Sequence, residues 1–154
     1  MDRDSEMHMD IQSETNFQFA YAAWMVALAG ALGSLFFGEV MKLPPCTLCW
    51  YQRICLFPLV SVLAVGIGLR DLLLGIYAAP LVLAGLGIAL YHNGVQAGLI
   101  PETLTPCTGT SSCGEKQLEL MGFITIPMLS ASAFAAVGLL LLLHQRQIGK
   151  TTHE

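Results

Sequence analysis

Four long apolar runs separated by short polar breaks set the pattern of this chain. They cover residues 19–37, about 46–69, 72–91 and 120–143, and the first contains no charge. Each approaches the ~20 residues that a helix needs to cross roughly 30 Å of hydrocarbon. None alternates with the period of two that marks a half-buried strand. The pattern predicts an all-α fold, a polytopic membrane four-helix bundle with spans at about 19–41, 46–69, 72–91 and 120–143. Pro58, Pro80 and Pro127 fall inside the runs and are candidate kinks, since neighbouring helices can re-satisfy the carbonyls that proline frees. Gly30, Gly33, Gly66, Gly68, Gly85 and Gly87 are candidate points of close helix approach. The plainer alternative is that glycine is simply common in membrane helices.

The breaks are uneven. Little more than Arg70-Asp71 separates the second and third runs, which predicts a tight antiparallel hairpin. A short outward loop at about 42–45 joins the first two, and the only long one, about 92–119, joins the last two. An even number of spans places both termini on one side and both loops on the other. Arg3, Arg70, Arg146 and Lys150 fall on the terminal side, and Lys42 and Lys116 on the loop side, with Arg53 inside a span. That excess predicts cytoplasmic termini and outward loops.

Composition agrees with a membrane protein. Hydrophobic residues make up 55% of the chain and charged residues 12%, against about a quarter charged in soluble domains. The mean hydropathy is +0.63. A net charge of −4 with no basic cluster excludes a nucleic-acid footprint. Residues 1–16 are polar and acidic, the reverse of a signal peptide's basic start. They read as a disordered cytoplasmic tail, with 17–145 the membrane domain and 146–154 a second tail.

The chemistry lies in the cysteines. Five are present, and they divide into Cys46/Cys49, Cys107/Cys113 and a remaining Cys55. Pro44 and Pro45 cannot continue a helix but suit the beginning of one. Cys46 therefore falls near a helix N-terminus, where free N–H groups and the dipole favour a thiolate. Cys49 follows about one turn later on the same face. Cys107 and Cys113 enclose only small, polar residues, a loop in which an exposed disulfide is open to an outside thiolate. Arg53, an arginine within an apolar run, is a functional candidate that would stabilise a nearby anion; the alternative is that it snorkels to the headgroups. Trp50 and Tyr51 read as interfacial aromatics, or as flanks of a planar cofactor. His92, just past the third run, is a candidate proton carrier or a solvated interfacial histidine. Cys55 reads as a buried small apolar residue. Together the parts predict that electrons pass from an outside dithiol to Cys107/Cys113, then to Cys46/Cys49, then to an acceptor in the bilayer, a lipid-soluble quinone. No haem, dinucleotide or metal motif offers another route.

The sequence resembles the DsbB family of membrane disulfide-forming oxidoreductases, most closely its short-loop BdbC-like branch. The resemblance rests on Gly33-Ser34-Leu35-Phe36-Phe37, Pro45-Cys46-Thr47-Leu48-Cys49-Trp50-Tyr51-Gln52-Arg53, the segment 106–113 with its two cysteines, and Gly122-Phe123-Ile124-Thr125-Ile126-Pro127. It implies a bundle in a bacterial inner or plasma membrane, with its redox cysteines on the extracytoplasmic face. It also implies that the bundle reoxidises a DsbA-like or BdbD-like thioredoxin-fold thiol oxidase and reduces menaquinone or ubiquinone. By position, Cys107 would take the mixed disulfide, Cys113 would be its mate, Cys49 would face the quinone with Cys46 as partner, and Arg53 and His92 would serve the quinone. The loop pair is more closely spaced than in the best-known members, so a surface helix in that loop is not expected. Two other classes remain. A vitamin K epoxide reductase-like enzyme has the CxxC late in the bundle, the reverse of this order. A non-enzymatic membrane protein would use four cysteines for zinc or structure, or would merely anchor a partner.

Overall fold

The computed structural model describes residues 3–42, 45–101, 119–120 and 124–151. Helix α1 (Arg3–Leu35) continues into a π-helical stretch, Phe36–Val40. The helix begins at Arg3 and so runs through the acidic segment read as a tail; its membrane-length apolar part is Phe17–Val40. Helices α2 (Thr47–Gly68), α3 (Leu74–Gln96) and α4 (Ile126–Thr151) follow. Each of the four helices has a stretch long and apolar enough to cross a membrane, so the all-α, multi-pass architecture stands. Just before α4, β1 (Glu119–Leu120) and β2 (Ile124–Thr125) form a minimal antiparallel pair, with Glu119 opposite Thr125.

Helix α1 packs against α2 and α4, and α3 packs against the same two, closing a four-helix ring. The buried stripe of α1 is Ala20, Ala23, Ala27 and Ala31, small residues at helical spacing that allow close backbone approach. Facing stripes are Cys55, Leu59 and Leu63 on α2, Ala78, Val82 and Ala89 on α3, and Phe134, Val137 and Leu141 on α4. The outer surface is also apolar: Met25, Leu83, Leu90 and Leu142 are exposed. Water would oppose such a surface, whereas lipid tails are as apolar as leucine.

Local chemistry fixes the breaks. Arg70 adopts a φ of 51°, and the Asp71 N–H returns to the Gly66 carbonyl at 2.9 Å. The Asp71 carboxylate then accepts from the Leu73 N–H at 2.9 Å, an Asx-type turn that leads into α3. Pro58 and Pro80 lie inside helices, but Pro127 is in the first turn of α4. There the missing N–H has no intrahelical partner to lose, so no kink arises. The fourth apolar run accordingly becomes helical at Ile126, not Leu120. The C-terminal ends of α1 and α3 and the N-terminal ends of α2 and α4 converge at one end of the bundle, and the candidate site is there.

Candidate active site

Cys46 is the N-cap of α2, with φ −67° and ψ 165°, and its sulfur accepts from the Cys49 N–H at 3.4 Å. One of the helix's unpaired N–H groups is thus turned on the thiol. The two sulfurs lie 2.9 Å apart, close enough that a small rotation forms the disulfide bond of about 2.05 Å. Cys46 is buried and Cys49 half-buried. Cys46 precedes the apolar span Thr47–Gly68, and its thiol is pulled from 9.0 to about 4. The main cause is a hydrogen bond donated by the Cys49 thiol; His92 adds to it and burial opposes it.

From α3, His92 brings Nε2 to 3.8 Å from the Cys46 sulfur. Its Nδ1 lies 3.3 Å from the Gln52 side-chain amide nitrogen. Histidine and glutamine are both buried. With the amide N–H donating, Nδ1 accepts and the proton resides on Nε2, directed at Cys46. Asn93 ties the same end of α3 to α4 by donating to the Pro127 carbonyl at 2.9 Å.

On the other side of the cysteine pair is a cavity of about 630 Å³ between α1, α2 and α4. Its walls are mainly apolar, including Val26, Leu56 and Phe134, and its polar groups come from Cys49, Gln52, Arg53 and a few serines. Size and lining suit a small organic ligand. Arg53 lies one turn beyond Cys49. Its guanidinium donates to the Ser34 carbonyl just ahead of the π stretch and lies 5.6 Å from the Trp50 ring centroid, a cation–π distance. A Cβ at Gly38 would come within 2.6 Å of the same guanidinium, so glycine there makes room for it. The Ser34 hydroxyl oxygen is buried beside this cavity with no hydrogen-bond partner among the described residues.

The matching family is described as disulfide bond formation protein DsbB, and residues 16–144 match it. The chain belongs to the DsbB family. It is 45% identical over 123 residues to the probable disulfide formation protein of Chlamydia trachomatis serovar D, covering 80% of this chain and 89% of that protein. It is 46% identical over 123 residues to probable disulfide formation protein C 2 of Bacillus anthracis, covering 80% and 87%. With disulfide bond formation protein C of Bacillus subtilis it shares 39% over 119 residues, covering 77% and 86%. No solved structure matches the chain. Family and fold together support a membrane disulfide oxidoreductase.

Among the residues singled out in this DsbB-family sequence, Cys46, Cys49, Arg53 and His92 come together at one end of the bundle. Arg53 lines the cavity, whereas His92 sits behind the cysteine pair, against Cys46. Cys107 and Cys113 lie outside the described residues. Trp50 and Tyr51 are exposed and do not line the cavity, which favours the interfacial reading over the cofactor-flanking one. Cys55 packs in the core with Leu59. Gln52, Ser34 and Gly38 were not given roles from sequence. Gln52 did carry a signal: it interrupts the buried stripe Leu48, Cys55, Leu59 with a polar side chain.

Proposed function

We propose that this protein is a quinone-dependent disulfide oxidoreductase that reoxidises an extracytoplasmic thioredoxin-fold thiol oxidase, DsbA-like or BdbD-like. It would sit in a bacterial inner or plasma membrane, with both termini cytoplasmic and the loop pair outside. The observation that carries the reading is the position of Cys49, between the Cys46 sulfur and a mainly apolar cavity that also holds Arg53.

The residues present suit a quinone. An apolar cavity takes the ring and tail, and the unpartnered Ser34 hydroxyl and the Arg53 guanidinium are donors for carbonyl oxygens. A bound menaquinone or ubiquinone supplies an acceptor for two electrons and two protons. The chain's own steps are thiol–disulfide exchanges. A partner thiolate attacks Cys107 in the Cys107–Cys113 disulfide, and the partner leaves oxidised. The resulting loop dithiol reduces Cys46–Cys49, so the electron pair arrives at the membrane edge. His92 holds a proton at Nε2 beside Cys46, Gln52 fixes that tautomer, and Arg53 keeps positive charge within a turn of Cys49. His92, expected to serve the quinone directly, would act through Cys46.

The test is anaerobic quinone reduction by the purified protein in detergent, driven by a reduced thioredoxin-fold dithiol. Wild type turns over; Cys49→Ser and Cys107→Ser do not. Turnover retained in Cys49→Ser refutes the assignment. No turnover with any quinone, with both disulfides intact, refutes the quinone reading.

A further inference from the structure

In its dithiol state the Cys46–Cys49 pair, together with His92, also forms a candidate set of metal ligands. The Cys46 and Cys49 sulfurs and a His92 ring nitrogen all lie within 4.8 Å of one another. The separations are 2.9 Å between the sulfurs and 3.8 Å from the Cys46 sulfur to Nε2. Zinc–sulfur bonds of about 2.3 Å and zinc–nitrogen bonds of about 2.0 Å place the ligand atoms of a tetrahedral centre roughly 3.5–3.8 Å apart. The Cys46–His92 separation is already at the edge of that range, the Cys49 sulfur lies within 4.8 Å of a ring nitrogen, and the sulfurs need to open by about 1 Å, within the reach of a side-chain rotation. Two thiolates and an imidazole are a soft donor set that selects zinc-like cations over magnesium or calcium.

The surroundings support ligation. Cys46 and His92 are buried, while Cys49 is half-buried and faces the cavity, leaving one side open for approach and for a fourth ligand. Gln52 contacts the other ring nitrogen of His92, the position from which an outer partner orients a metal-bound histidine. With the amide turned so that its oxygen accepts from Nδ1–H, Nε2 presents its lone pair toward the Cys46 sulfur.

We propose that the reduced Cys46–Cys49 pair and His92 form a redox-gated capture site for a thiophilic divalent cation such as Zn²⁺. The site exists only in the dithiol state, because the disulfide leaves no thiolate. On binding, the cation replaces the remaining thiol protons, which leave to solvent; no electrons are transferred. The held dithiol cannot pass its electrons on, so the cation arrests the protein in its reduced form. This requires only that the pair be reducible and is independent of the quinone and the partner.

The experiment uses full-length protein in detergent, reduced anaerobically with a phosphine. It is titrated with Zn²⁺ against a chromophoric chelator and with Co²⁺ as a spectroscopic probe. The expected result is one Zn²⁺ per reduced chain, tetrahedral Co²⁺ bands with thiolate charge transfer, and neither in the oxidised chain. Cys107→Ser/Cys113→Ser and Cys55→Ser retain the site. His92→Ala and Cys49→Ser each weaken it by at least tenfold, and His92→Cys restores tetrahedral Co²⁺ binding. Equal affinity in His92→Ala, equal binding by the oxidised chain, no binding by the reduced chain, or loss in the Cys107→Ser/Cys113→Ser chain would each overturn the proposal. The last result would assign the metal to all four cysteines.

Discussion

The two cysteines of the CxxC are unequal because of where they sit on one helix. Cys46 caps α2 and takes hydrogen bonds; Cys49, a turn later, gives them from its N–H and its thiol and faces the cavity. A thiol lowered to about 4 stays anionic as pH falls from 9 and is protonated only near and below 4. In the reduced protein, alkylation of Cys46 followed by mass spectrometry is therefore expected to proceed at a nearly constant rate from pH 8 to 5, where an ordinary thiol slows about tenfold per unit. Removing the largest cause with Cys49→Ala moves the midpoint up most. His92→Ala moves it less, and Gln52→Leu, acting through His92, less again. A midpoint near 9 in wild type would contradict the assignment. Ser34→Ala is expected to raise the KM for quinone roughly 2–10-fold, the worth of one hydrogen bond, and to leave the rate of dithiol exchange unchanged. Cys46, Cys49 and Arg53 stand out in the sequence because charge and sulfur are rare at the edge of an apolar run, and the fold brings the three together. Gln52 shows in the α2 stripe only as a polar interruption, its partner on α3 being unreadable, and Ser34 depends on a cavity wall that no local pattern encodes.

Among the helices, the glycines separate by geometry. A Cβ at Gly85 would collide with the Phe134 ring, and one at Gly66 with Leu74; at Gly33, Gly68 and Gly87 it would meet nothing within 4 Å. Gly85→Val and Gly66→Val are expected to lower thermal stability in detergent by about 1–3 kcal/mol through overpacking. Gly87→Ala should be neutral or slightly stabilising, since alanine is the better helix former. Equal effects at all these positions would show that the crossings are looser than described. The existence of four helices was readable from run length alone. The start of α4 was not, since Leu120 is apolar yet pairs in a strand with Ile124. Composition cannot distinguish a strand from the first turn of a span over so short a stretch. Nor did the apolar pattern mark the π stretch at the end of α1, which lies beside the Arg53 guanidinium.

At the level of the whole molecule, the bundle buries a narrow interior of alanines, branched residues and Phe134 and leaves many further large apolar side chains on its outer face, which suits lipid. It gathers the chemistry at one end, between α1, α2, α3 and α4. The orientation proposed here predicts that an impermeant maleimide applied to reduced intact cells labels Cys107 and Cys113. A cysteine placed at Arg70 should be labelled only after permeabilisation, and the reverse pattern would invert the topology. In the proposed mechanism electrons flow in one direction, from the loop pair to the cavity-side pair. That direction is tested most directly by mixing oxidised protein with a reduced thioredoxin-fold dithiol without quinone, acid-quenching over time, and mapping the alkylated cysteines by mass spectrometry. The electron pair is expected to come to rest on Cys46 and Cys49, Cys107→Ser to block its arrival, and added quinone to return that pair alone to the disulfide. Reduction of Cys46–Cys49 at an undiminished rate in Cys107→Ser would contradict that direction of flow.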